Sequence, residues 1–163
     1  MESTQQNKPA NQENHCRGRH VSACHSIALS AINALRWQGM AIYKIRWFDR
    51  WARKQGLTTP SLCAAVREMT AGLFDADLGG GLLKKRIARP GQGKSGGFRT
   101  LVATNKGNRW IFVFGFPKNA RSNIDQDEEE ALKKLAAHLL SLTAQAIGEA
   151  QRAGELMEVD CNA

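Results

Sequence analysis

From residue 40 onward, the apolar positions of the chain recur with the periods of strands and helices. Residues 41–47 carry the β-branched and aromatic side chains of a strand, and residues 48–55 predict a short amphipathic helix. Thr59 and Pro60 are an N-cap and first-turn pair, so a second helix is expected to follow them. Its buried stripe is predicted to consist of Leu62, Val66, Met69 and Leu73.

Three consecutive glycines, residues 79–81, end this helical region, and three strands are predicted after them. The turn-forming residues 105–108 predict that the last two of these strands form an antiparallel hairpin. The three strands are expected at residues 83–88, 98–104 and 109–116.

A long helix is predicted after Asp125, because Asp125 and Glu128 have the spacing of a capping box. A shorter helix ending near Gly154 and a strand at residues 156–159 complete the pattern. The sequence thus predicts an α+β domain with a small antiparallel sheet, on which two N-terminal helices and a C-terminal helix pack.

The first 39 residues lack this pattern. Residues 1–14 are rich in Gln, Asn and Glu and have almost nothing to bury, which is typical of a disordered arm. Because Met40 opens the patterned region, we expect residues 1–39 to be either such an arm or a segment upstream of the true start. Residues 40–163 are then one folded domain. No apolar run approaches the ~18 residues of a membrane span, so no membrane partner is expected.

The chain carries a formal net charge of +8, which favours a polyanionic partner. The distribution of this charge is more informative than its size. No Asp or Glu occurs between Leu78 and Ile124, so one face or groove is expected to be uniformly positive. The ten basic residues of this segment are Lys84, Lys85, Arg86, Arg89, Lys94, Arg99, Lys106, Arg109, Lys118 and Arg121.

The cysteines are scattered, and two of them lie near the ends of the chain. A disulfide framework would have closer spacing, so we expect reduced thiols in a cytoplasmic protein. The four positions are Cys16, Cys24, Cys63 and Cys161.

Two further motifs are weighed and set aside. Residues 88–95 fit a loose phosphate-binding loop, but that chemistry needs a helix to begin at Lys94 and Ser95, and a predicted strand follows instead. The thiol and imidazole groups near the N-terminus are too compressed in spacing for a structural zinc site. They are His15, Cys16, His20, Cys24 and His25. We therefore expect no metal and no cofactor.

The basic segment itself is specific in its arrangement. Successive side chains of a strand alternate between faces, so Lys84 and Arg86 are expected on one face and Lys85 on the other. Arg99, on the next strand, joins either set, depending on the register. A merely solvated face usually mixes both signs of charge, whereas a concave surface of one sign is a device for binding phosphate. Further RNA-binding candidates are Arg89, Lys94, Arg53 and Lys54.

The segment from Asp77 to Asp125 resembles the RelE-type toxins of toxin–antitoxin modules. It carries, in the family's order, the blocks Leu-Gly-Gly-Gly, Lys-Lys-Arg, Gly-Phe-Arg-Thr and Gly-Phe-x-Lys-x-x-Arg-x-Asn-Ile. Residues 47–52 and 62–69 agree more weakly. The resemblance extends from about Met40 to Cys161 and leaves the first 39 residues uncovered.

The resemblance implies the RelE/ParE fold and a metal-independent endoribonuclease, an mRNA interferase that cuts the codon in the ribosomal A site. The ribose 2′-hydroxyl attacks the neighbouring phosphate and leaves a 2′,3′-cyclic phosphate and a 5′-hydroxyl. Such chemistry needs a base, an acid and cations for the phosphorane charge. By position, Arg99 matches the family's phosphate-contacting arginine. The other candidate catalytic residues are Lys84, Lys85, Arg86, Lys118 and Arg121.

The sequence departs from the family at one point, because many relatives have a C-terminal Tyr or His in the site. The only tyrosine is Tyr43, and His138 lies on the long helix, so Lys84, Lys85 and Lys118 are the candidates for the base. The implied partners are the ribosome, messenger RNA and a cognate antitoxin of the helix-turn-helix or RelB-like type. The alternatives are a ParE-like inhibitor of DNA gyrase, which needs no catalytic cations, and a degenerate module that only binds RNA.

Overall fold

The structure is a computed structural model that describes residues 39–91 and 93–162, apart from the side chains of residues 93–95. The predicted arm, apart from Gly39, lies outside the described residues, as do the five His and Cys residues of the rejected zinc site. Within the described residues, six strands and four helices form an α+β fold.

The centre of the fold is one mixed sheet with the strand order β2-β3-β4-β5-β1-β6. β1 runs parallel to β5, and every other neighbouring pair is antiparallel. The predicted α+β class is confirmed, but the prediction of a small antiparallel sheet was wrong in the size of the sheet and in the direction of the β1–β5 pair. The strands are β1 (Ala41–Ile45), β2 (Ala76–Gly79), β3 (Leu82–Arg89), β4 (Gly93–Thr104), β5 (Arg109–Pro117) and β6 (Leu156–Glu158).

The sequence missed β2 because the strand is short and ends at a glycine. Its register shifts between Asp77 and Gly79, where the chain turns into β3. The predicted hairpin of β4 and β5 is confirmed by their antiparallel register. The segment that resembled a phosphate-binding loop leads into β4, so no helix begins at its Lys-Ser pair.

Two helices pack on one face of the sheet, α1 (Arg46–Gln55) and α2 (Thr59–Thr70). α1 ends at Gly56, whose φ of +70° is a left-handed conformation that glycine adopts without strain. α2 begins one residue earlier than predicted, with Thr58 at the N-cap. The predicted stripe is confirmed for three residues, but Leu73 lies beyond the helix and is 61% exposed.

The other face carries α3 (Gln126–Ser141) and α4 (Ala144–Arg152). The predicted capping box is confirmed, since the Asp125 carboxylate accepts from the Glu128 backbone N–H and the Glu128 carboxylate accepts from the Asp125 N–H. Thr143 caps α4 in a similar way through Ala146 N–H. Strong local signals thus fixed both helix starts.

Alternation along the strands divides the core into two layers. The α1/α2 face buries Leu83, Ile87 and Phe98, and the α3 face buries Leu82 and Leu101. These two names are used below for the two sides of the sheet. Because neighbours on a strand point to opposite faces, consecutive cations of β3 belong to different layers.

A disulfide joins Cys63 of α2 to Cys161, which follows β6. The two residues are 98 positions apart in sequence, yet their Cα atoms lie 5.7 Å apart. The expectation of reduced thiols was therefore wrong for this pair. Spacing along the chain did not reveal the bridge because folding, rather than sequence proximity, brings the C-terminal end against α2. Cys16 and Cys24 lie outside the described residues.

Candidate nucleic-acid interface

Three cations meet on the α3 face of the sheet. Lys84 and Arg86 point to this face from β3, and Arg99 of β4 lies directly opposite Arg86 in the strand register. The sequence left the side of Arg99 open, and the register places it with Lys84 and Arg86. We call these three residues the cation triad.

The triad lies where α3 no longer covers the sheet. Leu82, Leu101 and Ala103 are fully buried in the core layer to which α3 contributes. Further along the same face, Lys84 and Arg99 are only half-buried and the Arg86 side chain is 48% exposed. This end of the face is therefore open to a ligand.

Asp75 orients Arg86. The carboxylate accepts from Arg86 Nε at 2.5 Å and from the Arg86 backbone N–H at 2.6 Å. Burial tends to raise the pKa of Asp75, but the hydrogen bonds of Arg86 outweigh burial, and the pKa is lowered. The carboxylate therefore stays ionised and fixes the guanidinium.

The Arg99 side chain forms no hydrogen bond or ion pair with any other described residue, although its charge also helps to lower the pKa of Asp75. A half-buried guanidinium retains its five N–H donors, which suit an oxyanion. Lys84 is held only loosely, by Asn123 Oδ1 at 3.4 Å. Arg99 and Lys84 are thus the cations most available to a phosphate.

The loop after β5 returns over the same face. Asn123 of this loop reaches Lys84, and the Lys118 backbone N–H donates to Gly97 O at 3.3 Å. The Lys118 side chain is exposed at the edge of the face and has no partner among the described residues.

Arg121 is on this face but is not free. Its two terminal nitrogens donate to both carboxylate oxygens of Glu128 at 3.0 and 2.7 Å, and hydrogen bonding by Arg121 lowers the pKa of Glu128. The guanidinium also lies over the rings of Phe114 and Phe116, at 5.6 and 5.0 Å. Its Nε is buried without a partner within the described part of the chain. Arg121 therefore ties the loop to the capping box of α3.

Other predicted site residues lie elsewhere. Lys85 is on the α1/α2 face, as alternation predicted, and its buried ammonium donates to Glu68 Oε2 at 2.5 Å and to Leu73 O at 2.6 Å. Arg89 lies over the Phe98 ring on that same face, 5.4 Å from its centroid. The structure therefore does not bring Lys85 and Arg89 to the triad.

Two of the remaining RNA-binding candidates are on α1, and the third lies outside the described residues. Arg53 and Lys54 are exposed in the last turn of α1, and Arg53 pairs with the buried Asp49. The Lys94 side chain lies outside the described residues.

The expectation of a uniformly positive face was wrong, because acids from neighbouring segments reach into the basic segment. Asp75, Glu68 and Glu128 pair with Arg86, Lys85 and Arg121, as described above. Asp77 pairs with Lys106, and Arg109 donates to three carbonyls at the end of α3. Sequence distance hid these partners, and they leave Lys84, Arg99 and Lys118 as the cations of the α3 face that have no carboxylate partner among the described residues.

Sequence reasoning missed the aromatic residues of the face. Phe116 of β5 is opposite Arg99, and Phe114 is opposite Leu101, so both rings flank the triad. Trp47 of α1 stacks on Phe114 with ring centroids 4.7 Å apart and remains 46% exposed. Alternation predicts that Phe114 and Phe116 share a face, but the register shift between Phe112 and Phe114 hid which face it is. Trp47 reaches them only through the tertiary fold.

Neither of the described Tyr and His residues belongs to the triad. Tyr43 pairs with Ile111, toward the opposite end of β5 from Phe116, and burial raises its pKa. His138 is exposed near the C-terminal end of α3. The described residues contain no group of three His, Cys, Asp or Glu side chains that could hold a metal ion.

The family model described as the RelE toxin of the RelE/RelB toxin–antitoxin system matches residues 40–159 of the chain. A search of curated proteins finds no match. Among the residues that the structure describes, no helix is long and apolar enough to cross a membrane.

Proposed function

Because this chain belongs to the family of RelE toxins of RelE/RelB toxin–antitoxin systems, we propose that it is a ribosome-dependent messenger-RNA endoribonuclease. The observation that carries the proposal is the cation triad, in which the Arg99 side chain, without a partner among the described residues, faces Arg86 on the open end of the α3 face. Phosphoryl chemistry needs such preorganised donors where negative charge develops.

In this mechanism, Arg99 and Arg86 hold the scissile phosphate. Asp75 fixes Arg86 through Nε and leaves its terminal nitrogens for the ligand. As the 2′-oxygen attacks phosphorus, one further electron pair shifts onto the non-bridging oxygens, which together then carry two negative charges, and the paired guanidiniums stabilise this charge. Arginine suits this role because it remains protonated throughout the reaction.

Proton transfer falls to the lysines. We assign the base to Lys84, which in its amine form takes the proton of the 2′-hydroxyl as the bond from oxygen to phosphorus forms. The bond from phosphorus to the 5′-oxygen breaks, and Lys118 supplies the proton to the leaving oxygen. The products are a 2′,3′-cyclic phosphate and a 5′-hydroxyl, so no water enters the reaction, and the two lysines perform both proton transfers. Lys85 takes no part in this scheme because its ammonium is occupied on the other face.

The proposed role of Arg121 is to hold the loop that carries Lys118. Its bidentate bond to Glu128 and its contacts with Phe114 and Phe116 fix this loop on the sheet. Arg121 is thus a positioning residue.

The proposed partners follow from this role. The target is the ribosome with its messenger RNA, which places the activity in the cytoplasm. A cognate antitoxin, of the helix-turn-helix or RelB-like type, presents acidic side chains to the triad and Lys118. We expect the affinity of that complex to fall with rising salt, mainly through slower association. An affinity indifferent to ionic strength would mean that the antitoxin binds an apolar surface instead.

The test is growth arrest and primer extension with Arg99→Ala and a matched control, Arg67→Ala, an exposed arginine on α2. Loss of one charge-stabilising donor typically lowers the rate by about 10²–10³-fold. Arg99→Ala should therefore lose both toxicity and A-site cuts while its melting temperature stays near that of the wild type. Arg67→Ala should keep both.

The rival function is gyrase inhibition by a ParE-like toxin, which the carboxylate pairing of Arg86 and Arg121 favours, since these pairs leave fewer cations for catalysis. Full toxicity of Arg99→Ala, without cuts in any messenger RNA, would move that function ahead.

A further inference from the structure

Trp47 is the feature of the α3 face that the proposed reaction does not use. It follows β1 directly, at the point where β1 stops flanking β5 and α1 begins. Its ring stacks on Phe114 at an interplanar angle of 13°, and it lies parallel to the Trp51 ring at 6.3 Å. Of the large apolar residues in the described part of the chain, only Trp47 and Leu73 are exposed.

Both neighbours of Trp47 are fixed, so its position is set in advance. The Arg46 guanidinium donates to Gly154 O and Ala153 O at 2.8 and 2.6 Å, and Phe48 is fully buried. An aromatic ring that is held in place and exposed loses little conformational entropy when a flat ligand stacks on it.

Trp47 also lies beside the phosphate-binding cations. Lys84 is opposite Leu101, and Leu101 is opposite Phe114, so these three residues form a row across β3, β4 and β5. Phe116 is opposite Arg99. The Trp47 ring, stacked on Phe114, extends this row by one position, on the side of β5 that β1 no longer flanks. Arg99 lies on β4 two residues from Leu101.

The surface of α1 continues the same path. Residues three and seven positions after Trp47 share its helix face, and these are the exposed cations Arg50 and Lys54. An aromatic platform between cations is the arrangement that binds single-stranded nucleic acid, because bases stack while phosphates meet charge. An acidic protein segment would match the cations but would offer no flat group to the exposed part of the indole.

We propose that Trp47 is a stacking platform for a nucleobase beside the scissile phosphate, with Arg50 and Lys54 binding the next phosphates of the same RNA strand. This inference rests on the proposed nuclease function. It adds a base-binding subsite and a direction for the RNA, from the triad past Arg121, which lies over Phe114, to α1.

The test measures binding of the full chain to ribosomes that carry a synthetic messenger RNA with 2′-O-methyl groups in the A-site codon, which cannot be cleaved. Trp47→Leu keeps apolar bulk without a π face, and Trp47→Phe keeps a smaller one. Leu73→Ala is the control for an exposed apolar residue. Each codon position is also made abasic in turn.

Stacking on a base predicts that Trp47→Leu weakens binding by roughly 5- to 100-fold, while Trp47→Phe retains most of it and Leu73→Ala retains all. One abasic position should weaken wild-type binding by a similar factor and should leave Trp47→Leu unaffected. Arg50→Ala and Lys54→Ala should each lower the salt dependence of binding.

The inference is overturned if Trp47→Leu binds the ribosome as tightly as the wild type. It is also overturned if every abasic RNA weakens the binding of Trp47→Leu by the same factor as that of the wild type. A loss of antitoxin binding alone would assign Trp47 to the protein partner instead. If Arg99→Ala weakens binding and Trp47→Leu does not, the nuclease function stands without this subsite. If the wild type does not bind, both proposals fall.

Discussion

The two faces of β3 use similar residues for different purposes. On the α3 face, Lys84 has one long hydrogen bond and Arg86 keeps part of its guanidinium exposed. On the α1/α2 face, the neighbouring Lys85 is buried against Glu68 and Leu73. The comparison teaches that the position of a cation on an alternating strand, rather than its presence in a basic run, decides whether it can reach a ligand.

The largest expected effect separates Lys84 from Lys85. Lys84→Ala removes the proposed base and should lower the cleavage rate by about 10²–10⁴-fold, while the melting temperature changes little. Single-turnover cleavage on programmed ribosomes and thermal unfolding measure the two quantities.

Lys85→Ala should give the reverse result. It leaves the Leu73 carbonyl without its donor and should cost about 1–3 kcal/mol of stability, while the folded protein keeps its cleavage rate. Equal losses of rate in both variants would remove the distinction between the faces.

The second effect concerns the disulfide, which lies on the α1/α2 face. Reduction, or Cys161→Ser, should lower the free energy of unfolding by about 2–4 kcal/mol, because the bridge closes a long loop in the unfolded chain. Denaturant titration with and without reductant measures this change. RNA binding at a temperature where the reduced protein is folded should be unaffected, and a loss there would link the bridge to the triad.

A buried ion pair on the same face gives a stability that depends on pH. Asp49 is 3% exposed and is bonded by Lys44 at 2.9 Å and by Arg53. Burial tends to raise the pKa of Asp49, but hydrogen bonds from Arg53 and Lys44 outweigh it, so the pKa is lowered on folding. The stabilisation is therefore complete above the unfolded pKa, about 4, and is lost as pH falls through the lower folded value.

Asp49→Asn should lower the free energy of unfolding by about 2–3 kcal/mol at neutral pH. This is the effect of breaking a buried ion pair, reduced because the Arg53 partner is exposed. The stability difference from the wild type should shrink as the pH falls below about 4. Unfolding curves across this range measure it, and a difference that stays constant with pH would show that charge is not its cause.

The smallest expected effect comes from the N-terminal segment. A chain that starts at Met40 should keep the melting temperature and toxicity of the full chain, because the strand and helix pattern begins there. Loss of folding on removal of residues 1–39 would make that segment part of the domain.

Local signals predicted much of the fold, and distant contacts limited the rest. The capping box at Asp125 and the hairpin of β4 and β5 involve residues close in sequence, so their patterns were sufficient. The parallel pairing of β1 with β5 and the bridge from Cys63 to Cys161 join distant segments, which no local pattern encodes.

The features of the candidate site that depend on local patterns were predicted, and those that depend on distant residues were missed. Alternation correctly separated Lys84 and Arg86 from Lys85. The carboxylate that holds Arg86 comes from Asp75, eleven positions away and outside the basic run, so the sequence did not reveal it. Trp47 was missed because its platform exists only where α1 meets β5.

The central claim is that the cations of the α3 face cleave RNA through its own 2′-hydroxyl. The most direct measurement is the chemistry of the product ends after cleavage on programmed ribosomes, for the wild type and Arg99→Ala. The account predicts 2′,3′-cyclic phosphate and 5′-hydroxyl ends from the wild type and no product from Arg99→Ala. Ends with 3′-hydroxyl and 5′-phosphate, or undiminished cleavage by Arg99→Ala, would contradict it.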